Sequence, residues 1–394
     1  MRVSTSMIYE KGIAAIQRQT AELLHTQQQV SSGRRILTPA DDPIAAARAL
    51  EIDQSKAVNA QFTTNQGTAE DRLRVVENRL VGVGEVLQYA RERAVQAGSA
   101  ALSETELGFI ATDMRAQFDA LMALANSQDA QGEYLFAGYK ANSIPFEGGI
   151  GGVIYNGDQG NQTIQVASSR YMEVSFAGSE VFDRTRRLAD SVSVVPAPAN
   201  GGGAQLASTS PAPQGVRYEI EWDGSAYSAI RRAPGTPDQT LVVIPTGAPP
   251  TSISFDGGVT LSITGAPAAG DRFEVFSAST NLFENFALFI DALERPGAGG
   301  VTNGAVTFAL ENLDAALDNV LRVRAQIGSQ LVELDGLGLV GSDLDLQYAQ
   351  TLSRLQDVDY AEAISRLTQQ QTFLEAAQLS YLRVTGLSLF NFLS

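Results

Sequence analysis

Leu73, Val76, Leu80, Val83, Leu87, Ala90, Ala94 and Ala97 follow one another at alternating steps of three and four residues without a slip. A period of about 3.5 residues sustained this long points to a long helix that closes its apolar seam on neighbouring helices. Leu107, Ala111, Met114, Phe118, Leu121 and Ala125 continue the habit, as do Phe283, Phe286, Ile290 and Leu293. Leu310, Leu313, Leu317, Val320, Ile327, Leu331 and Leu334 repeat it, with Arg324 as a polar interruption. Between these flanks the pattern changes. Ten of the 14 prolines fall within residues 191–275, beside the run Gly201–Gly203, and helix is excluded there. Val216–Trp222 and Thr260–Thr264 alternate as strands do, and Asp223-Gly224 and Asp256-Gly257 mark turns. Residues 148–182 read the same way.

The expected fold is therefore α+β and multidomain, a coiled-coil-like helical bundle built from both flanks with a β-rich domain inserted in the middle. The expected parts are terminal helices in 1–45 and 345–394, and a bundle in 46–140 and 276–344. A hairpin region at 141–190 and an outer β-rich domain at 191–275 complete it.

Composition narrows the chemistry. The 394 residues contain no cysteine and one histidine, His25, which removes thiol nucleophiles, Cys-based metal sites and His clusters. No cofactor or metal is expected, and no enzymatic activity. With 44 acidic and 28 basic side chains the net charge is −16, which repels phosphate backbones and argues against a nucleic-acid partner. No run approaches the ~20 apolar residues of a membrane span, and the first residues lack the pattern of a cleaved secretion signal. Residues 1–56 and 357–394 together carry a net charge near −1, so almost all the charge sits in the body between them.

The near-neutral ends carry seams of their own. Ile13, Ile16, Thr20, Leu23, Gln27 and Val30 form one, and Tyr360, Ile364, Leu367, Gln371, Leu374, Gln378 and Tyr381 form another. Ile13, Ile16, Leu23, Val30, Ile364, Leu367, Leu374, Tyr381, Leu389, Phe390 and Phe392 are the expected assembly surface, ordered when neighbouring copies cover them. Gln27, Gln371 and Gln378 are expected to fix helix register. In Thr38–Pro43, Pro39 is expected to end the first helix, Asp42 to cap the second, and Pro43 to sit where its missing N–H is harmless.

Other motifs have plainer readings. Gly336, Gly338 and Gly341 match the spacing of a dinucleotide loop but lack a preceding strand, so a flexible joint between helices is expected. Asp343, Asp345, Asp357 and Asp359 do not have calcium-loop spacing and read as solvated helix starts. An adhesin-like surface on the β-rich part would expose Tyr218, Trp222 and Tyr227, although Val216–Trp222 reads first as an ordinary half-buried strand.

Two stretches, Gln27–Asp53 and Asp357–Leu393, resemble the conserved ends of bacterial flagellins and hook–filament junction proteins. The opening MRVSTSMIYEKG, the segment Gly132–Phe146 and the ending LSLFNFL resemble the junction branch of that family more than filament flagellin, which is the alternative. The resemblance implies a secreted structural subunit at the hook–filament junction, exported by the flagellar type III apparatus. It also implies four kinds of partner: a ring of its own copies, the adjacent hook-associated junction protein, flagellin, and an export chaperone on the C-terminal helix at Leu374, Tyr381 and Leu387. Leu80–Ala100, with Tyr89 and Arg93, resembles the flagellin helix that packs subunits together.

Overall fold

The computed structural model describes residues 5–99, 102–183, 192–197, 200–210, 212–247, 250–295 and 303–390. The chain divides into two compact units, residues 65–336 and residues 1–64 with 337–394. Seven helices are described: α1 (Thr5–Ser32), α2 (Pro43–Ala97), α3 (Glu104–Ala125), α4 (Gly178–Phe182), α5 (Leu282–Glu294), α6 (Asn303–Gln356) and α7 (Tyr360–Phe390). The architecture is α+β, with helices at both ends of the chain and strands in the middle.

In the unit formed by 65–336, the heptad positions of α2 from Leu73 to Ala97 are all buried, none more than 3% exposed. Their spacing is the reason: only residues three and four apart stack on one helical face. α2 packs on α3 and α6. Tyr89 donates to Asp113 at 2.8 Å and Arg93 pairs with the same carboxylate at 2.9 Å. Tyr89 and Arg93 thus hold α3 to α2 within the chain. The polar interruption Arg324 pairs with Glu77 at 2.9 Å, on the edge of a seam whose buried member is its neighbour Val323. α3 begins at a capping box made by Ser103 and Glu106. Phe118 of α3 meets Phe283 and Phe286 of α5, and Phe283 continues the aromatic cluster to Phe146 and Phe182.

Two hairpins lie between α3 and α4. β1 (Phe146–Gly149) pairs with β2 (Gly152–Tyr155), and β3 (Thr163–Ala167) with β4 (Arg170–Glu173). The second is held by α2, whose Asn65 and Gln66 amides donate to the carbonyls of Gln165 and Val166 at 2.7 and 2.8 Å. Arg170 grips Glu333 of α6 through two bonds of 2.6 and 2.7 Å.

The remaining strands are β5 (Val192–Pro196), β6 (Gln205–Ser208), β7 (Val216–Trp222), β8 (Tyr227–Arg232), β9 (Gln239–Leu241), β10 (Ile244–Thr246), β11 (Ser252–Phe255), β12 (Val259–Thr264) and β13 (Arg272–Ser277). They form a five-stranded sheet ordered β5-β13-β7-β8-β9 and a four-stranded sheet ordered β10-β11-β12-β6, antiparallel throughout. Side chains of both sheets share one core, including Tyr218, Ile220, Phe255, Leu261 and Phe273. Asp256, at φ 46°, and Gly257, at φ 73°, make the left-handed turn between β11 and β12.

Several expectations are corrected here. α6 runs unbroken through Gly336, Gly338 and Gly341, so there is no joint. Each interior glycine costs roughly 1 kcal/mol, but packing outweighs that; Asn59 of α2 donates to the Gly341 carbonyl at 2.8 Å. Asp343 and Asp345 are mid-helix, not helix starts. Tyr218 and Tyr227 are buried in the sheet core, so an adhesin surface made of them is ruled out. Sequence reading also missed α4.

The five-stranded sheet is joined to α5 by charge. Arg217 on β7 is 1% exposed and lies 3.1 Å from Glu274 of β13, from Asp291 of α5 and from the carbonyl of Arg295. Removing one partner of such a cluster leaves buried charge uncompensated. Arg217→Ala is expected to cost about 3–5 kcal/mol in urea unfolding, and Arg217→Met with Glu274→Gln and Asp291→Asn to recover most of it. A different buried group supplies a pH signature. Burial, with the charge of Glu284, pushes the Asp183 carboxyl up to about 6. The folded state therefore holds that proton more tightly than the unfolded chain, and its stability falls as pH rises from about 4 through 6. Asp183→Asn is expected to flatten that slope in thermal melts and raise the melting temperature at pH 7.

Candidate assembly interface

In the unit formed by the two chain ends, α1 and α7 lie antiparallel. Tyr9 and Tyr381 meet edge to face at 6.3 Å. Gly12 sits against the same Tyr381 ring, where a Cβ would come within 2.8 Å of ring carbon. At the other end the Tyr360 hydroxyl reaches Gly33. Two sets of buried or half-buried positions run along the pair, Tyr9, Gly12, Ile16, Gln19, Leu23, Thr26 and Val30 on α1 and Ala363, Leu367, Gln370, Leu374, Ala377 and Tyr381 on α7; Thr20, His25 and Gln29 of α1 are covered as well. Both sets step by three and four, the period of two helices zipped together.

This seam divides the residues singled out from sequence. Ile16, Leu23 and Val30 face α7, and Leu367, Leu374 and Tyr381 face α1. Ile13 and Ile364 stand outside it, about half exposed. Leu389 and Phe390 belong to the last turn of α7, and Phe392 lies outside the described residues. The polar members of the seam are Gln19, Thr26 and Gln370; Gln27, Gln371 and Gln378 are exposed, which corrects their expected register role. Sequence reading missed Met7, Leu24, Phe373, Leu379 and Leu382, which with Ile13 and Ile364 are 45–65% exposed. The signal for them was present: apolar side chains at positions the seam does not use.

A corner joins α1 to α2 and α6 to α7. α1 ends at Gly33, in the left-handed region at φ 71°, and not at Pro39 as expected. Glycine terminates a helix there without the Cβ penalty, while Pro39 occupies a turn closed by Asp41 N–H on the Thr38 carbonyl at 3.0 Å. Asp42 accepts the Ala45 amide at 3.0 Å, and Pro43 is the first residue of α2. Asp41 accepts the amides of Leu37 and Thr38 at 2.9 and 2.8 Å. Asp359 caps α7 through the amides of Ala361 and Glu362.

The two bends are stitched together. The Arg35 amide donates to the Gln356 carbonyl at 2.6 Å, the Val358 amide to that of Gly33 at 3.0 Å, and the Arg35 guanidinium to that of Leu355 at 2.8 Å. Gln29 of α1 donates to the Arg35 carbonyl at 2.6 Å. Beside these bonds lies an open cleft of about 740 Å³ lined by Glu22, His25, Asp41, Asp42, Glu362 and Arg366 among others. Among the described residues no group of three or more His, Asp or Glu is placed to hold a metal.

Helical chain ends zipped to each other, long heptad helices and an inserted β domain define a structural subunit of the flagellin type. The model of the bacterial flagellin N-terminal helical region matches residues 3–141. Flagellar hook-associated protein 3 of Salmonella typhimurium is 32% identical over 391 residues, covering 99% of each chain. That of Escherichia coli is 30% identical over 396 aligned positions, again covering 99% of each. The crystal structure of Xanthomonas campestris FlgL superposes with a TM-score of 0.55 at 26% identity, over 77% of this chain and 99% of that one. The chain belongs to the flagellar hook-associated protein 3 family.

Acid should loosen the corner. Backbone N–H groups, chiefly that of Thr38 for Asp41 and that of Ala45 for Asp42, hold both carboxyls below the usual carboxylate range. Depressed carboxyls stabilise the fold above the ordinary value of about 3.9, and the gain is lost as pH falls through their lower folded values. Asp42→Ala is expected to abolish amide protection at Ala45 and the acid dependence of that protection, read by hydrogen exchange.

Proposed function

We propose that the chain is the structural subunit joining hook to filament, and that its α1–α7 hairpin makes the joint. The observation that carries this is the set of large apolar side chains left exposed once α1 and α7 have zipped. Met7, Ile13 and Leu24 on one helix, and Ile364, Phe373, Leu379 and Leu382 on the other, are exposed at positions where an isolated hairpin gains nothing from them. Burying a side chain of this size is worth about 1.5–3 kcal/mol, so covering the set with neighbouring copies is strongly favourable. A ring of copies forms first, and its two sides then meet the adjacent hook-associated junction protein and flagellin.

Secretion as an extended chain fits the same reading. Before α1 is in place, the α7 face bearing Leu374 and Tyr381 is open, and that is where an export chaperone would hold it. The work of the protein is assembly by burial, and it needs no catalytic group.

Deletion of the gene tests the role. Cells without it are expected to complete hooks, carry no filaments and shed flagellin into the medium. The native chain should restore filaments; Ile13→Asp with Ile364→Asp, or removal of residues 385–394, should not, while the 65–336 unit stays folded by circular dichroism. Normal filaments in the deletion strain would overturn the reading.

A further inference from the structure

Asparagine followed by glycine is prone to close on itself, because glycine leaves the next backbone nitrogen unshielded by a side chain. The chain has three such pairs, Asn156-Gly157, Asn200-Gly201 and Asn303-Gly304. The fold disables two of them. The Asn200 side chain is bonded at both ends to Arg272, accepting its amide at 2.8 Å and donating to its carbonyl at 2.7 Å, and the Gly201 amide is taken by Asp271 at 2.8 Å. Asn303 and Gly304 open α6, where the helical backbone turns each amide nitrogen away from the preceding side chain, and Gly304 is buried against Val195 of β5.

Asn156-Gly157 differs in each respect. It follows β2, outside any helix or strand, and Asn156 is exposed. Among the described residues the Gly157 amide has no hydrogen-bond acceptor. The Asn156 carbonyl, which shares its peptide unit with that amide, accepts from the Lys140 ammonium at 3.3 Å. A peptide that gives up its N–H proton carries much of the resulting negative charge on this oxygen. A cation there makes the Gly157 nitrogen easier to deprotonate and so a better nucleophile. The Glu147 carboxylate accepts from Asn156 Nδ2 at 3.1 Å, the nitrogen that would depart. The fold cannot do without the glycine, since a Cβ at 157 would strike the Tyr155 ring.

We propose that Asn156-Gly157 is a site of self-modification, promoted by Lys140. Hydroxide takes the Gly157 amide proton, the nitrogen bonds to Asn156 Cγ, and the Cγ–Nδ2 bond breaks, Nδ2 leaving as ammonia with a proton from water. Water then opens the five-membered imide at either carbonyl, giving aspartate or isoaspartate; nothing is oxidised or reduced. Either product sets a carboxylate beside Glu147 where an amide donor had been, and like charges so placed repel. Isoaspartate also lengthens the backbone at the foot of the β1–β2 hairpin, where the Asn156 amide donates to the Pro145 carbonyl at 2.8 Å. The hairpin therefore loosens as the folded subunit ages.

Peptide mapping by mass spectrometry tests it, on the native chain incubated folded at mildly alkaline pH and, in parallel, in concentrated urea. In the folded chain, acid at 156 is expected to accumulate roughly tenfold or more faster than at 200 or 303; in urea the three rates should converge. Lys140→Gln should slow the folded reaction about two- to fivefold, the scale of a partly exposed charge. Lys140→Arg should restore most of the rate, and neither variant should change it in urea. The acidic form, separated by ion exchange, should show weaker hydrogen-exchange protection at the residue 156 amide than the unmodified form. Equal rates at the three sites in the folded chain, or a lead for Asn156 that persists undiminished in urea, would overturn the proposal. So would a Lys140→Gln rate equal to that of the native chain, or equal protection in the two separated forms.

Discussion

The buried seam of α2 is the interaction on which the rest of the 65–336 unit depends. Fixing a backbone residue costs about 1–2 kcal/mol, and burying a Leu or Val returns about 1.5–3 kcal/mol. Within a helix of 55 residues the best supported stretch is the one where one residue in every three or four is fully enclosed. From Leu73 to Ala97 that condition is met at each heptad position, with α3 on one side and α6 on the other. The alanines at 90, 94 and 97 bring little apolar area, but they let the neighbouring helices come close.

The terminal hairpin follows the same geometry with a different balance. Its heptad positions match between α1 and α7, yet among them only Thr26 and Ala363 are buried, and the remainder are half-covered. Two helices have only one mutual face, whereas a bundle encloses each helix from several directions. The shortfall is physical, and it explains why side chains such as Phe373 and Leu382 are exposed in the single chain. The polar positions Gln19 and Gln370 lower the affinity of the zip and narrow the registers available to it.

The β-rich part of the 65–336 unit is an insertion whose two ends meet, since Val192 pairs with Ser277 across β5 and β13. Its attachment uses both kinds of force available at a buried contact. Phe276 stacks on Phe308 of α6 with ring centroids 5.0 Å apart, and Arg217 links β7 to α5 through two carboxylates. The apolar contact supplies adhesion. The ion cluster places three buried charged groups against one another across that contact.

Period and punctuation were enough, in the sequence alone, to locate the long helices, the β-rich middle and the break at Asp42-Pro43, because those features depend on neighbours three, four or two residues away. Leu73 and Met114 were legible as core for that reason, and so was the resemblance carried by residues 27–53 and 357–393. What the sequence left open depends on contacts between distant segments. Whether Ile16 or Ile13 faces α7 differs by less than one helical turn, and only the packed partner decides it. Gly336 and Gly338 read as a joint because local propensity is weak there; contacts along the whole of α6 override it. The pairing of Arg217 with Asp291, of Arg35 with the end of α6, and of His25 with Asp41 was invisible, since each arises from segments brought together by folding and leaves no period in the chain.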